Sequence, residues 1–126
     1  MTDAKTQKWN IPTKSGVKFV GDTNFWISAT FWRGLCYRLK QLVADGTLAH
    51  VTSLKLLSEF ARVLRRDFNL SDDQAYIRYN EVMELSEVVY PQLGVLEQIT
   101  GSRNHADNPV LECAVWGEAR YVVTRD

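Results

Sequence analysis

The run Gly16–Trp26, GVKFVGDTNFW, constrains this chain more than any other stretch, because an apolar segment of strand length closes abruptly on Gly-Asp-Thr-Asn. Val17, Phe19 and Val20 surround a single Lys18, and β-branched or aromatic residues on both faces of the pleat suit a central parallel strand covered by helices on either side. Gly21 then ends the strand. In an open α/β sheet the ligand crevice lies beyond the carboxyl ends of the strands, where strand order reverses, and Asp22 would stand at its mouth. Asp-Thr-Asn after a strand equally fits an Asx turn or a helix N-cap. Asp22 therefore has two readings, a strand-mouth carboxylate and a cap.

The rest of the chain alternates strand-like and helix-like segments. Phe25–Phe31 is dense in aromatics and predicts a short helix, and Gly34 separates it from a second, Leu35–Ala44, whose Leu35, Leu39, Leu42 and Val43 share a face. Asp45 and Gly46 end that helix before a second strand, Leu48–Thr52. Thr52 or Ser53 caps a third helix running to about Arg66, with Leu54, Leu57, Phe60, Ala61, Val63 and Leu64 as its apolar arc and Lys55, Arg62, Arg65 and Arg66 opposite. Glu59 falls on the border of that arc. It can reach toward the strand mouth or pair with Lys55 or Arg62. Asn69-Leu70-Ser71 opens a fourth helix, to about Ser86, with Asp72 and Asp73 in its first turn, and Val88–Tyr90 forms a third strand closed by Pro91. Residues 92–106 make a long connection without periodicity. Pro109 opens the last helix with Asn108 as cap and Asp107 just ahead of its positive end, and Val110, Leu111, Ala114 and Val115 mark its buried side. Tyr121–Val123 is the fourth strand, with Thr124, Arg125 and Asp126 at its mouth. Such alternation implies right-handed crossovers and a parallel sheet.

The 126 residues suffice for one domain with a real core, expected over residues 17–126 behind a polar, flexible extension at residues 1–16. No apolar run approaches the roughly 20 residues of a membrane span and the N-terminus lacks the apolar core of a signal peptide, which predicts a cytoplasmic protein without a membrane partner. Cys36 and Cys113 form no metal-binding pair and read as buried free thiols. The net charge of zero hides an asymmetry. Up to Arg66 there are eleven basic residues against four acidic, a net of +7, and the remainder has four against eleven, a net of −7. Either the basic half contacts phosphates while the acidic half holds a cation, or the two halves attract each other across ordinary surfaces.

Four acids occupy positions that a three-layer fold could gather: Asp22 after the first strand, Glu59 on a helix border, Asp107 at a helix start and Asp126 after the last strand. A carboxylate cluster suits Mg2+, which takes oxygen ligands and keeps several waters. The same fragments, in the same order, resemble the PIN-domain family, and specifically the PIN nucleases that are toxins of prokaryotic toxin–antitoxin pairs. They are the strand into Asp22-Thr23-Asn24, Val51-Thr52-Ser53 followed by Leu56-Leu57-Ser58-Glu59, Asp107-Asn108-Pro109-Val110-Leu111-Glu112-Cys113-Ala114, and Tyr121-Val122-Val123-Thr124-Arg125-Asp126. The resemblance implies an α/β/α fold with four parallel strands in the order 3-2-1-4, lacking the further edge strand of relatives. It implies an endoribonuclease that hydrolyses RNA with Mg2+ or Mn2+, its catalytic and metal-binding carboxylates being Asp22, Glu59, Asp107 and Asp126, with Thr124 and Asn24 as polar groups beside them. It further implies an antitoxin protein and a second copy of the chain as partners. Asn104 stands where relatives often carry another acid.

Arg33, Arg103 and Arg125 flank the expected mouth as candidate phosphate contacts. Trp26, Trp32 and Trp116 are candidates for base stacking or for core contacts. His50, inside a strand, reads as a hydrogen-bonded core or edge histidine, and His105 as a loop residue near Asp107. The rival to a nuclease is a truncated PIN fold that binds a partner without cleaving.

Overall fold

The computed structural model describes residues 15–92 and 108–125. Four parallel strands, β1 (Lys18–Gly21), β2 (Ala49–Ser53), β3 (Ser86–Val89) and β4 (Tyr121–Val123), lie side by side in the order β3-β2-β1-β4, the order that the resemblance implies. Between them run α1 (Thr23–Phe31), α2 (Leu35–Ala44), α3 (Leu54–Asp67), α4 (Asp72–Glu84) and α5 (Pro109–Trp116). The period of two along β1 separates two cores. Phe19 joins Phe25, Trp26, Leu57, Phe60 and Leu64 on the face covered by α1 to α4. Val20 joins Val51, Val89, Cys113 and Ala114 on the face covered by α5. A sheet sandwiched in this way must bury both faces of its central strands, which is why β2 is buried at every position.

Local signals set the helix starts. The Ser53 hydroxyl accepts from Leu56 N, Ser71 and Gln74 form a reciprocal capping box, and Asn108 Oδ1 accepts from Val110 N and Leu111 N ahead of Pro109. Two glycines are fixed by close approach. A Cβ on Gly21 would stand 2.4 Å from Phe25 Cδ2, and one on Gly117 would stand 2.5 Å from Val51 Cγ1.

Packing corrects the sequence reading in detail. Leu54 is 43% exposed while Leu56 is buried, because Leu56 drops into the core beneath α5 and Leu57, Phe60 and Leu64 enter the other. The first turn of α3 thus serves both layers, which widens its buried arc beyond one helical stripe. In α5 the buried residues are Cys113 and Ala114, with Val115 exposed. Helix α4 stops at Glu84, and Ser86, expected to end it, begins β3 instead, its hydroxyl donating to Val82 O. Most of the expected extension, at residues 1–14, and the connection at residues 93–107 lie outside the described residues. Among the described residues, no helix is long and apolar enough to cross a membrane.

The charge asymmetry is partly consumed inside the fold. Lys18 Nζ lies 3.2 Å from Glu87 Oε2 and Lys40 Nζ 2.5 Å from Glu81 Oε1, so β1 and α2 of the basic half are tied to β3 and α4 of the acidic half.

His50, 1% exposed at the centre of β2, links three strands and α1. Its Nε2 accepts from Gly21 N at 3.0 Å and from Trp26 Nε1 at 3.0 Å. Its Nδ1 lies 2.7 Å from Ser86 Oγ, and since the Ser86 hydroxyl donates to Val82 O at 2.6 Å, Nδ1 carries the proton. Burial pushes the His50 pKa down to about 3. The unfolded chain therefore takes up a proton before the folded one does. Stability from this residue is complete above pH about 6.5 and is lost as pH falls toward 3, by about 1.4 kcal/mol per unit within that window. Urea unfolding of wild type should weaken measurably between pH 7 and 5, whereas His50→Gln, less stable at pH 7, should show a flatter profile. Parallel profiles for the two proteins would exclude a neutral buried His50 as the cause.

Candidate active site at the mouths of β1 and β4

Both readings of Asp22 hold at once. Its backbone N–H donates to Val123 O at 3.1 Å, which ties the end of β1 to the end of β4. Its Oδ1 accepts from Phe25 N at 2.8 Å as the N-cap of α1, and its Oδ2 accepts from the Thr124 hydroxyl at the β4 mouth. The carboxylate is thereby fixed from two elements, with the positive end of α1 behind it. Each oxygen uses one lone pair in these bonds and keeps another. A recess of about 10 Å³ beneath Asp22, lined also by Thr52, Leu56, Phe60 and Val82, has room for a single water and no more.

The other expected site residues divide. Thr124 meets Asp22 directly. Asn24, Arg33, Thr124 and Arg125 share the wall of one groove beside it. The Glu59 side chain is 45% exposed, and its Oε1 lies 3.9 Å from Arg62 Nη2, the helical pairing that its border position allowed. A pair this open contributes about 0 to 1 kcal/mol, so it holds Glu59 only loosely. Asp107, Arg103 and Asp126 lie outside the described residues.

The donor chemistry around Asp22 is a carboxylate and a hydroxyl, both hard oxygens, which suits Mg2+ or Mn2+ rather than a thiolate-seeking metal. Among the described residues, however, no group of three or more His, Cys, Asp and Glu side chains could hold an ion. Any complete site needs carboxylates from beyond them. The thiol of Cys113, pushed up to about 12 by burial, stays protonated and takes no part. Trp26 is buried against His50 and unavailable for stacking, whereas Trp32 is 57% exposed.

The His50 contacts escaped the sequence reading. A histidine in a strand buried on both faces announces that it needs partners, but Gly21, Trp26 and Ser86 come from three separate elements.

A family model described as PIN domain matches residues 18–126. Comparison with curated proteins and with solved structures gave no significant match.

Cap and cation ligand can be separated by unfolding wild type, Asp22→Asn and Asp22→Ala with and without Mg2+. In chelator Asp22→Ala should lose about 1 to 2 kcal/mol with the cap, while Asn, itself a good cap, should stay within a few tenths of wild type or exceed it. Mg2+ at 100 times its dissociation constant should stabilise wild type by about 2.7 kcal/mol and leave both variants unmoved. An equal Mg2+ shift in all three would remove Asp22 from the ligand set.

Proposed function

Because the chain belongs to the PIN-domain family, we propose that it is a divalent-metal-dependent endoribonuclease, the toxin of a toxin–antitoxin pair. PIN domains are generally nucleases, so a nuclease-type fold follows from membership itself. The choice of RNA, the metal and the toxin role are our reading of this chain. The observation that carries it is Asp22, a carboxylate held at the junction of β1, β4 and the α1 N-terminus with lone pairs to spare.

In this reading Asp22, Glu59, Asp107 and Asp126 hold Mg2+ or Mn2+, which, when bound, supplies polarisation of water and neutralisation of charge on the phosphodiester. The chain's own residues do the positioning. Thr124 fixes one rotamer of Asp22, and the α1 backbone fixes the other oxygen. Asn24, Arg33, Arg103 and Arg125 contact the phosphates of the RNA. Glu59 would leave its loose pairing with Arg62 to join the ion.

That pairing also favours a second reading, a PIN fold that binds a partner without cleaving. Purified protein should cut single-stranded RNA in Mg2+ or Mn2+, stop when a chelator is added, and lose activity by at least about a hundredfold in Asp22→Asn. Undiminished cleavage by Asp22→Asn would sink the assignment. A wild type that unfolds cooperatively yet never cleaves would establish the binding reading instead.

The partners in this proposal are an antitoxin protein and a second copy of the chain. The described surface leaves Tyr76, Ile77, Tyr121 and Val122 exposed, apolar area of the kind that drives association. Sedimentation at micromolar concentration should show a dimer, and a lone 14.4 kDa species would count against self-association.

A further inference from the structure

A groove of about 1080 Å³ opens between α1, the start of α2 and the end of β4, with Asn24, Trp32, Arg33, Leu35, Thr124 and Arg125 in its wall. Thr124 belongs both to this wall and to the hydrogen bond that fixes Asp22, so the groove begins at the candidate active site. Among the described residues, no Asp or Glu lines it. Resting on the nuclease reading above, we propose that this groove is the substrate-holding subsite, in which single-stranded RNA stacks a base on Trp32 and lays its phosphates against Arg33 and Arg125.

Three features of the wall support this occupant. Trp32 follows α1 in extended backbone, is 57% exposed, and is braced on one side by the Phe31 ring at 6.0 Å, which in turn stacks on Phe68 at 4.6 Å. An indole braced in this way is ordered before a base arrives, and stacking on it suits any base because every base has a π face. Arg33 is also ordered: its guanidinium lies 4.5 Å from the Tyr37 ring centroid and donates one N–H to the Tyr37 hydroxyl at 2.5 Å. That single bond leaves most of its donor fork for a phosphate.

Finally, neither Arg33 nor Arg125 forms an ion pair among the described residues, while Lys18, Lys40, Arg62, Arg65, Arg66 and Arg78 all do. Arg38, Lys55 and Arg120 also lack a carboxylate partner among the described residues, but of these unpaired cations only Arg33 and Arg125 line the groove beside the exposed indole. A ligand that combines planar rings with regularly spaced anions satisfies both at once, and an apolar peptide satisfies only the first.

The test uses full-length protein in chelator, so that binding is read without cleavage, and a fluorescein-labelled single-stranded RNA of about a dozen mixed nucleotides followed by anisotropy. Trp32→Ala should weaken binding about ten- to a hundredfold and Trp32→Phe should recover most of the loss, since a ring suffices for stacking. Arg33→Gln should weaken binding and reduce the dependence of log affinity on log salt by about one. Wild-type affinity in Trp32→Ala, or no RNA binding by wild type, would overturn the proposal. So would a Trp32→Ala protein that changes from dimer to monomer with RNA affinity intact, because the groove would then hold a second copy. Failure of the nuclease reading looks different: RNA binding would depend on Trp32 while no cleavage appeared in Mg2+ or Mn2+. Cleavage in Mg2+ with KM and affinity unchanged by Trp32→Ala would sink the groove alone.

Discussion

The imidazole of His50 is the point through which the sheet and the candidate site depend on each other. A neutral ring in the middle of β2 accepts at Nε2 from the last residue of β1 and from the indole of α1, and donates at Nδ1 to the first residue of β3. Each of those groups is buried and would cost about 1 to 3 kcal/mol if left without a partner. The ring must remain neutral to serve them, because a proton on Nε2 would displace two donors at once. Its surroundings favour that state: Phe19, Phe25 and Trp26 pack their rings around it.

Asp22 inherits its position from this arrangement. Gly21, held by His50, directly precedes it, and Trp26, held by the same nitrogen, lies one helical turn beyond. Between these two anchors the carboxylate caps α1 and accepts from Thr124, so the residue proposed to act on substrate is also a structural hinge pin between β1, α1 and β4. Gly21 allows the tightness of this corner, since any Cβ there would run into Phe25. Placement at the carboxyl end of the central strands is where an open α/β sheet presents its crevice. The same corner opens onto the groove of Trp32, Arg33 and Arg125.

The electrostatics of the chain follow the same division between structure and site. Part of the strong charge difference between the two halves of the sequence is used to join them, through Lys18 with Glu87 and Lys40 with Glu81. Two cations without a carboxylate partner among the described residues, one from each half, meet at the groove. Arg33 sits on Tyr37 at the groove, and Arg125 follows β4 beside Thr124. A global charge argument would have missed both, because the net charge is zero.

The sequence by itself determined the order of elements along the chain, a parallel sheet and nearly every helix start, because these follow from local rules: hydrophobic period, caps such as Ser53, Ser71 and Asn108, and glycine at Gly34; the strand order 3-2-1-4 came through the family resemblance of its motifs. It also pointed to Asp22 and Thr124, since both close a strand that the apolar pattern makes visible. Tertiary structure alone decided that the two share a hydrogen bond across 102 residues of sequence, and that Glu59 lies beside Arg62. It alone decided that Leu56 rather than Leu54 is buried, because α3 begins where two cores meet. His50 was visible as a core or edge histidine, but its role was not. A buried polar ring is satisfied by whichever donors the packing of other elements brings within 3 Å, and no local pattern along the chain encodes that distance.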